Sequence, residues 1–335
     1  MRSLFTSVIA VVGVALGVAA PAAAQNQALM INGIGGGADL PDLVMSNVLG
    51  GMFGSYERHN VQWPQQAKPI IGGRYTLAES INIGAGNLDA AITQALAKLG
   101  PGEHVSVVGL SAGALVADEE LRRLVARQNA IDKSKLDFYV VGDSSRSSFN
   151  KNRYDPLVNY TYSTPVDSKY DTTSVMSMYD GFTDFPDRPT NLTAVANAIA
   201  GEILHHVPSM LTNLSKVPAN AKKVTTNAQG GVTTNYLIEP AHLPLVELNP
   251  WLRPQEAKLK AIVDSAYIRN DKPAATKPLS AVAVQPAATT SAPVVLTSDD
   301  PGKASATTPL AGHRGTAAGA HGSSPKAAAA TRGHK

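Results

Sequence analysis

The stretch Val107-Val108-Gly109-Leu110-Ser111-Ala112-Gly113-Ala114-Leu115 places a serine between two glycines, where a β-rich run gives way to good helix formers. A serine hydroxyl is a weak nucleophile until a base takes its proton, and it reaches a carbonyl only if it projects clear of the backbone. A tight strand-to-helix turn achieves this, with Gly109 and Gly113 removing side chains that would collide across it. The amide of Ala112 then lies at a helix N-terminus, placed to stabilise an oxyanion. The chemistry on offer is acyl transfer through Ser111.

Such a nucleophile needs a base, and the chain has 8 histidines. His313, His321 and His334 fall in a low-complexity tail. His104 begins the strand that Ser111 ends, so at 3.3 Å per residue it sits roughly 20 Å away. His59 precedes the elbow, against the usual order of serine, acid, histidine. His205 and His206 end an apolar helix, where a favourable interaction with the helix dipole competes with a catalytic role. His242 follows the last strand in Glu239-Pro240-Ala241-His242-Leu243-Pro244 and is the preferred base, with His206 or His205 as the alternatives.

The acid is sought in Tyr179-Asp180-Gly181-Phe182-Thr183-Asp184-Phe185-Pro186, between a strand and a helix. Asp184, deeper in the loop, is preferred as the carboxylate that meets the histidine Nδ1 proton. Asp180, nearest the strand end, is the alternative, and Asp143 is a weaker candidate that reads first as a turn residue. A second oxyanion donor is expected from the glycine loop Gly33 to Gly37; Ile34 is nominated, with Gly33 or Gly35 equally arguable. That loop lacks the G-x-G-x-x-G helix opening of a dinucleotide site. No H-E-x-x-H, Walker loop or carboxylate-histidine cluster calls for a metal, a nucleotide or another cofactor.

These residues need a scaffold of alternating strands and helices. Strands are expected at Ala28 to Asn32, Lys68 to Gly72, His104 to Leu110, Leu136 to Val141, Ser174 to Tyr179 and Val232 to Ile238. Helices are expected at Asn87 to Leu99, with Leu88, Ile92, Leu96 and Leu99 on one face, at Ser111 to about Arg127, and at Asn191 to His206. The fold class is therefore α/β with a mostly parallel central sheet flanked by helices, its site outside the carboxyl ends of the strands. Apolar loops at Leu40 to Phe53 and Val207 to Leu214 either line an acyl groove or pack as core.

Composition divides the 335 residues into three parts. Residues 1–24, with Arg2, an apolar run from Val8 to Ala20 and Ala22 and Ala24 in an A-x-A pattern, read as a signal peptide cleaved before Gln25, with an uncleaved anchor as the alternative. Export to the cell envelope or beyond follows. Residues 25–270 form the catalytic domain, and 271–335, rich in Ala, Pro, Thr and Ser, read as a disordered basic tail. With 0 cysteines, an exported domain must hold together without disulfides. The middle part carries 21 basic against 23 acidic residues, which does not suit nucleic acid; the tail's excess of basic charge suits a cell wall or membrane surface.

Met30-Ile31-Asn32-Gly33, Val61-Gln62-Trp63-Pro64, Leu77-Ala78-Glu79-Ser80 leading to Asn87-Leu88-Asp89, Gly142-Asp143, Tyr179-Asp180-Gly181 with Asp184-Phe185-Pro186, and His242-Leu243-Pro244-Leu245 together resemble the PE-PPE domain. This is the cutinase-like serine α/β-hydrolase module of mycobacteria and their relatives, and the resemblance covers about Leu29 to Tyr267. It implies esterase or lipase chemistry on acyl esters, in some members acyl transfer that builds acylated trehalose lipids. It carries Ser111, Asp184 and His242 over as the triad. The partners implied are an acyl-ester lipid and trehalose or another sugar as acceptor. Two departures stand out: a signal segment takes the place of a PE or PPE module, and Ala112 follows the serine where many members have a polar residue. The competing expectation is a catalytically silent envelope protein that binds lipid or glycan on the same fold.

Overall fold

The computed structural model describes residues 25–35, 39–128 and 130–271. The expected signal segment, all but the first residue of the expected tail, and Gly36 and Gly37 of the glycine loop lie outside the described residues. The chain runs β1 (Gln27–Ile31), α1 (Asp42–Asn47), β2 (Glu57–Asn60), α2 (Leu77–Leu96), β3 (Val105–Leu110), α3 (Ala112–Ala126) and β4 (Leu136–Val141). A two-stranded ribbon, β5 (Tyr154–Asp155) and β6 (Tyr160–Thr161), follows. Then come β7 (Thr172–Ser177), α4 (Leu192–Ser209), β8 (Lys222–Thr226), β9 (Val232–Ile238), α5 (Pro244–Leu248) and α6 (Glu256–Asp264).

The main sheet has 7 strands in the order β2-β1-β3-β4-β7-β9-β8. Neighbours are parallel except β8, which pairs antiparallel with β9. Every residue of β1 and β3 is buried, as parallel strands covered on both faces require. From β1 the chain steps outward to β2, returns to β3 on the other side of β1, and continues away through β4 and β7. The direction of winding reverses between β1 and β3, which is where ligands bind in open α/β sheets. Gly33 leaves the end of β1 there, and Ser111 leaves the end of β3.

The expected strand at Lys68 to Gly72 is absent: Ala67 and Ile71 form only an isolated bridge. Pro69 lacks the donor a strand needs. The edge position belongs to β2, whose Glu57-Arg58-His59-Asn60 carries no apolar alternation because its residues are only half buried. The other edge, β8, is exposed along its length and carries Lys222 and Lys223, charges that discourage pairing with another chain. Helix α2 begins ten residues earlier than expected, at a Thr76 capping box closed by Glu79. Gly84, weak in an isolated helix, sits where α2 closes on Trp63 and Val116.

The elbow glycines are set by close approach. A Cβ on Gly109 would lie 2.6 Å from the Cα of Ala114, and one on Gly113 would lie 2.1 Å from the carbonyl oxygen of Ile31. No rotamer relieves a backbone clash, so α3 would have to lift off β1. Gly113→Ala is expected to lose about 3 kcal/mol in urea unfolding, and an unchanged midpoint would contradict this packing.

Candidate active site

Ser111 adopts φ 53° and ψ −124°, a conformation few residues other than glycine take up. Two backbone bonds hold it: its N–H donates to the Val141 carbonyl at 2.7 Å, and its own carbonyl accepts from Ala114 N–H at 2.9 Å. The side chain is thereby turned out at the end of β3, with Oγ 2.8 Å from His206 Nε2. On the far side of the ring, His206 Nδ1 lies 2.7 Å from Asp180 Oδ2. A carboxylate only accepts, so Nδ1 carries the proton and donates it to Asp180. Nε2 is then the acceptor for the Ser111 hydroxyl.

Asp180 sits in the turn that leaves β7, fully buried. Its Oδ1 accepts from Phe182 N–H at 3.0 Å, and its Oδ2 also accepts from the Thr183 hydroxyl at 2.9 Å. His206 belongs to the last turn of α4 and is 5% exposed. The edge of Phe182 packs against its ring, with centroids 4.8 Å apart. Helix α4 reaches this depth because of Gly201, where a Cβ would stand 2.0 Å from the Tyr179 carbonyl oxygen. The helix backbone therefore rests directly on the turn that carries Asp180.

Asp184 and His242, the preferred acid and base, are engaged elsewhere. One oxygen of Asp184 accepts from Tyr179 N–H at 2.7 Å, and the other pairs with Arg269 at 2.6 Å. Burial pushes its carboxyl up to about 6 even with the Arg269 charge alongside. His242 Nδ1 lies 2.9 Å from Glu256 Oε2 on α6, with its side chain partly exposed. The reason is topological: β9, which delivers His242, is three strands away from β3, roughly 14 Å at the usual strand spacing. Helix α4 instead crosses back over the sheet. The two alternatives, Asp180 and His206, are the residues brought to Ser111. His205 faces Glu247 at 3.1 Å, and Asp143 is buried, donating no proton but accepting from Ser145 N–H and pairing with Arg146. Under that loop Asp118 is pushed up to about 7 by burial and by the nearby charge of Asp143.

A cavity of about 420 Å³ opens over Ser111. Ile34, Ala112, Ser111 and His206 all line it, so the nominated oxyanion donors border Ser111. Gly33 N–H already donates to Asn32 Oδ1 at 2.8 Å, which removes it as a donor. The walls come from Leu40, Val44 and Val48 and from Val207, Met210 and Leu211, two segments that meet where Leu49 N–H donates to the Met210 carbonyl at 2.8 Å. Both apolar loops singled out in the sequence thus line the cavity, while Leu49, Phe53 and Leu214 from the same segments pack in the core. Among the described residues no charged side chain lines the cavity, a surface suited to an acyl chain. Close by, burial and the charge of Asp180 raise the carboxyl of Glu202. Among the described residues no cluster of His, Asp and Glu is arranged to hold a metal ion, and no helix is long and apolar enough to cross a membrane.

A mostly parallel sheet with helices on its faces and a serine at a strand-to-helix elbow over its switch point defines the α/β-hydrolase fold of the cutinase-like kind. The chain belongs to the PE-PPE domain family, whose pattern matches residues 54–268. It is similar to the diacyltrehalose acyltransferase Chp2 of Mycobacterium tuberculosis (strain ATCC 25618 / H37Rv), 35% identical over 230 residues that make up 62% of each protein. The SL1278 acyltransferase Chp1 of the same strain is 36% identical over 230 residues, 65% of this chain and 55% of that protein. Esterase PE16, also of that strain, is 30% identical over 223 residues, 62% of this chain and 41% of that one. The chain thus matches 62% or less of the length of each of these relatives.

Proposed function

We propose that this protein is an exported serine esterase or acyltransferase acting on fatty acyl esters of cell-envelope lipids, with a sugar such as trehalose as one acceptor. The observation that carries the reading is the Ser111, His206 and Asp180 relay at the wall of an uncharged apolar cavity. The names of the relatives, two acyltransferases and an esterase, support the same chemistry, and residues 1–24 support export.

In this mechanism Ser111 Oγ bonds to the acyl carbonyl carbon as its proton passes to His206 Nε2. The carbonyl electron pair moves onto oxygen, where the amides of Ala112 and Ile34 stabilise it. Collapse re-forms the carbonyl and expels the alcohol, which leaves with the proton held by His206. Water or a sugar hydroxyl then attacks the acyl-enzyme by the same steps in reverse, restoring Ser111.

The test is mass spectrometry of the protein and its products after incubation with a long-chain acyl ester, with and without trehalose, beside Ser111→Ala. An acyl adduct is expected on the wild type and not on the variant. Its transfer to trehalose identifies an acyltransferase, and release of free acid alone identifies an esterase. No adduct and no turnover of any ester overturns the reading in favour of a silent lipid- or glycan-binding protein.

A further inference from the structure

Large apolar side chains face solvent at the mouth of the Ser111 cavity and along the two helices that contribute to its wall. Helix α4 carries a stripe at helical spacing, Ile199, Ile203, Val207 and then Leu211 just past its end, each more than half exposed, with Ile203 at 68%. On α1, whose following turn is bonded to the end of α4, Leu43 is 75% exposed and Val44 stands beside it. Ile71 and Phe182 complete the ring. Val44, Ile71, Phe182, Val207 and Leu211 are at once exposed and part of the cavity wall, so the outer patch and the inner lining are one continuous surface. An exposed apolar patch continuous with a cavity marks a partner surface or a membrane.

We propose that this ring is a docking face for a lipid surface, on which the enzyme sits with its cavity mouth pressed against the layer that holds its substrate. The choice of occupant follows from where the patch lies. A second copy of the chain, another protein or a folded-over segment seated on the ring would cover the mouth above Ser111 and exclude substrate. A lipid layer is the occupant that feeds an acyl chain through the mouth while it covers the rim. The side chains of the ring itself are uncharged, so the attraction they supply is apolar and only weakly sensitive to salt. Helix α4 joins the two roles: Ile203 and Val207 point out on its apolar face, and His206 between them points in to Ser111.

The inference rests on the proposed esterase chemistry for its meaning, and its test separates the two. The full chain and an Ile203→Asp/Leu43→Asp variant are compared, neither residue lining the cavity. Co-sedimentation with neutral phosphatidylcholine vesicles and turnover of two esters are read, one short and water-soluble, one long-chain and embedded in the vesicles. The variant is expected to bind vesicles and to turn over the embedded ester about a hundredfold less well, with the soluble ester hydrolysed at the wild-type rate. Equal vesicle binding by the two proteins, or binding that disappears at high salt, overturns the docking face. So does a wild-type dimer that the substitutions split without change in vesicle binding. Failure to hydrolyse the soluble ester by either protein strikes the catalytic reading instead, and the sedimentation result still decides the docking face.

Discussion

His206→Ala is expected to lower kcat for a soluble ester about ten-thousandfold, while His242→Ala stays within about threefold of the wild type. Without the imidazole, Ser111 Oγ loses the base whose Nε2 lies 2.8 Å from it. The amides around the cavity still stabilise the oxyanion, so the residual rate should exceed that in water. His242 is bound to Glu256 on the surface of α6, and its loss removes an exposed pair worth little. Steady-state kinetics on the two variants, with a far-ultraviolet dichroism spectrum to show that both are folded, decides the matter. The reverse ranking would mean that α4 moves aside in the working enzyme and that the geometry around Ser111 is not the reacting one.

Asp180→Asn should also cost about ten-thousandfold in kcat, with little change in KM. Asparagine fills the same space, but its amide nitrogen presents a donor where His206 Nδ1 must donate. The ring then takes the other tautomer, with a proton on Nε2 facing the serine hydroxyl. Asp184→Ala is expected to behave differently, lowering stability by about 3 kcal/mol and leaving kcat of the folded enzyme near the wild-type value. It strips the acceptor from Tyr179 N–H and leaves the Arg269 guanidinium without its carboxylate. Kinetics and urea unfolding on the same two proteins give a double dissociation. Loss of kcat in Asp184→Ala at full stability would return the acid's role to that residue.

Much of the scaffold was legible because its signals are local. The Val-rich run of β3 and the helix formers after Ser111 sit where the sequence places them, as do β4 and β9, whose observed limits coincide with the expected ones. Polar edge strands were not legible. Glu57 to Asn60 carries no apolar period, since an edge strand with half-buried residues needs none. The first ten residues of α2 were hidden by Gly84, which tertiary packing against Trp63 and Val116 retains.

The site divides along the same line. By itself the sequence located the elbow and the candidate nucleophile on it: an elbow is a local structure, and its glycines, strand and helix lie within a few residues of Ser111. It also narrowed the acid to one loop and the base to a short set of histidines. Which members of those sets meet was decided by tertiary structure alone. Chain order favoured a histidine after the last strand, but strand order puts that strand three places from β3. Helix α4, seated by Gly201 on the Tyr179 carbonyl, brings His206 across the sheet to Asp180 and Ser111 instead. The distance between residues 111, 180 and 206 depends on strand order and helix crossing, and neither is written in any local run of residues.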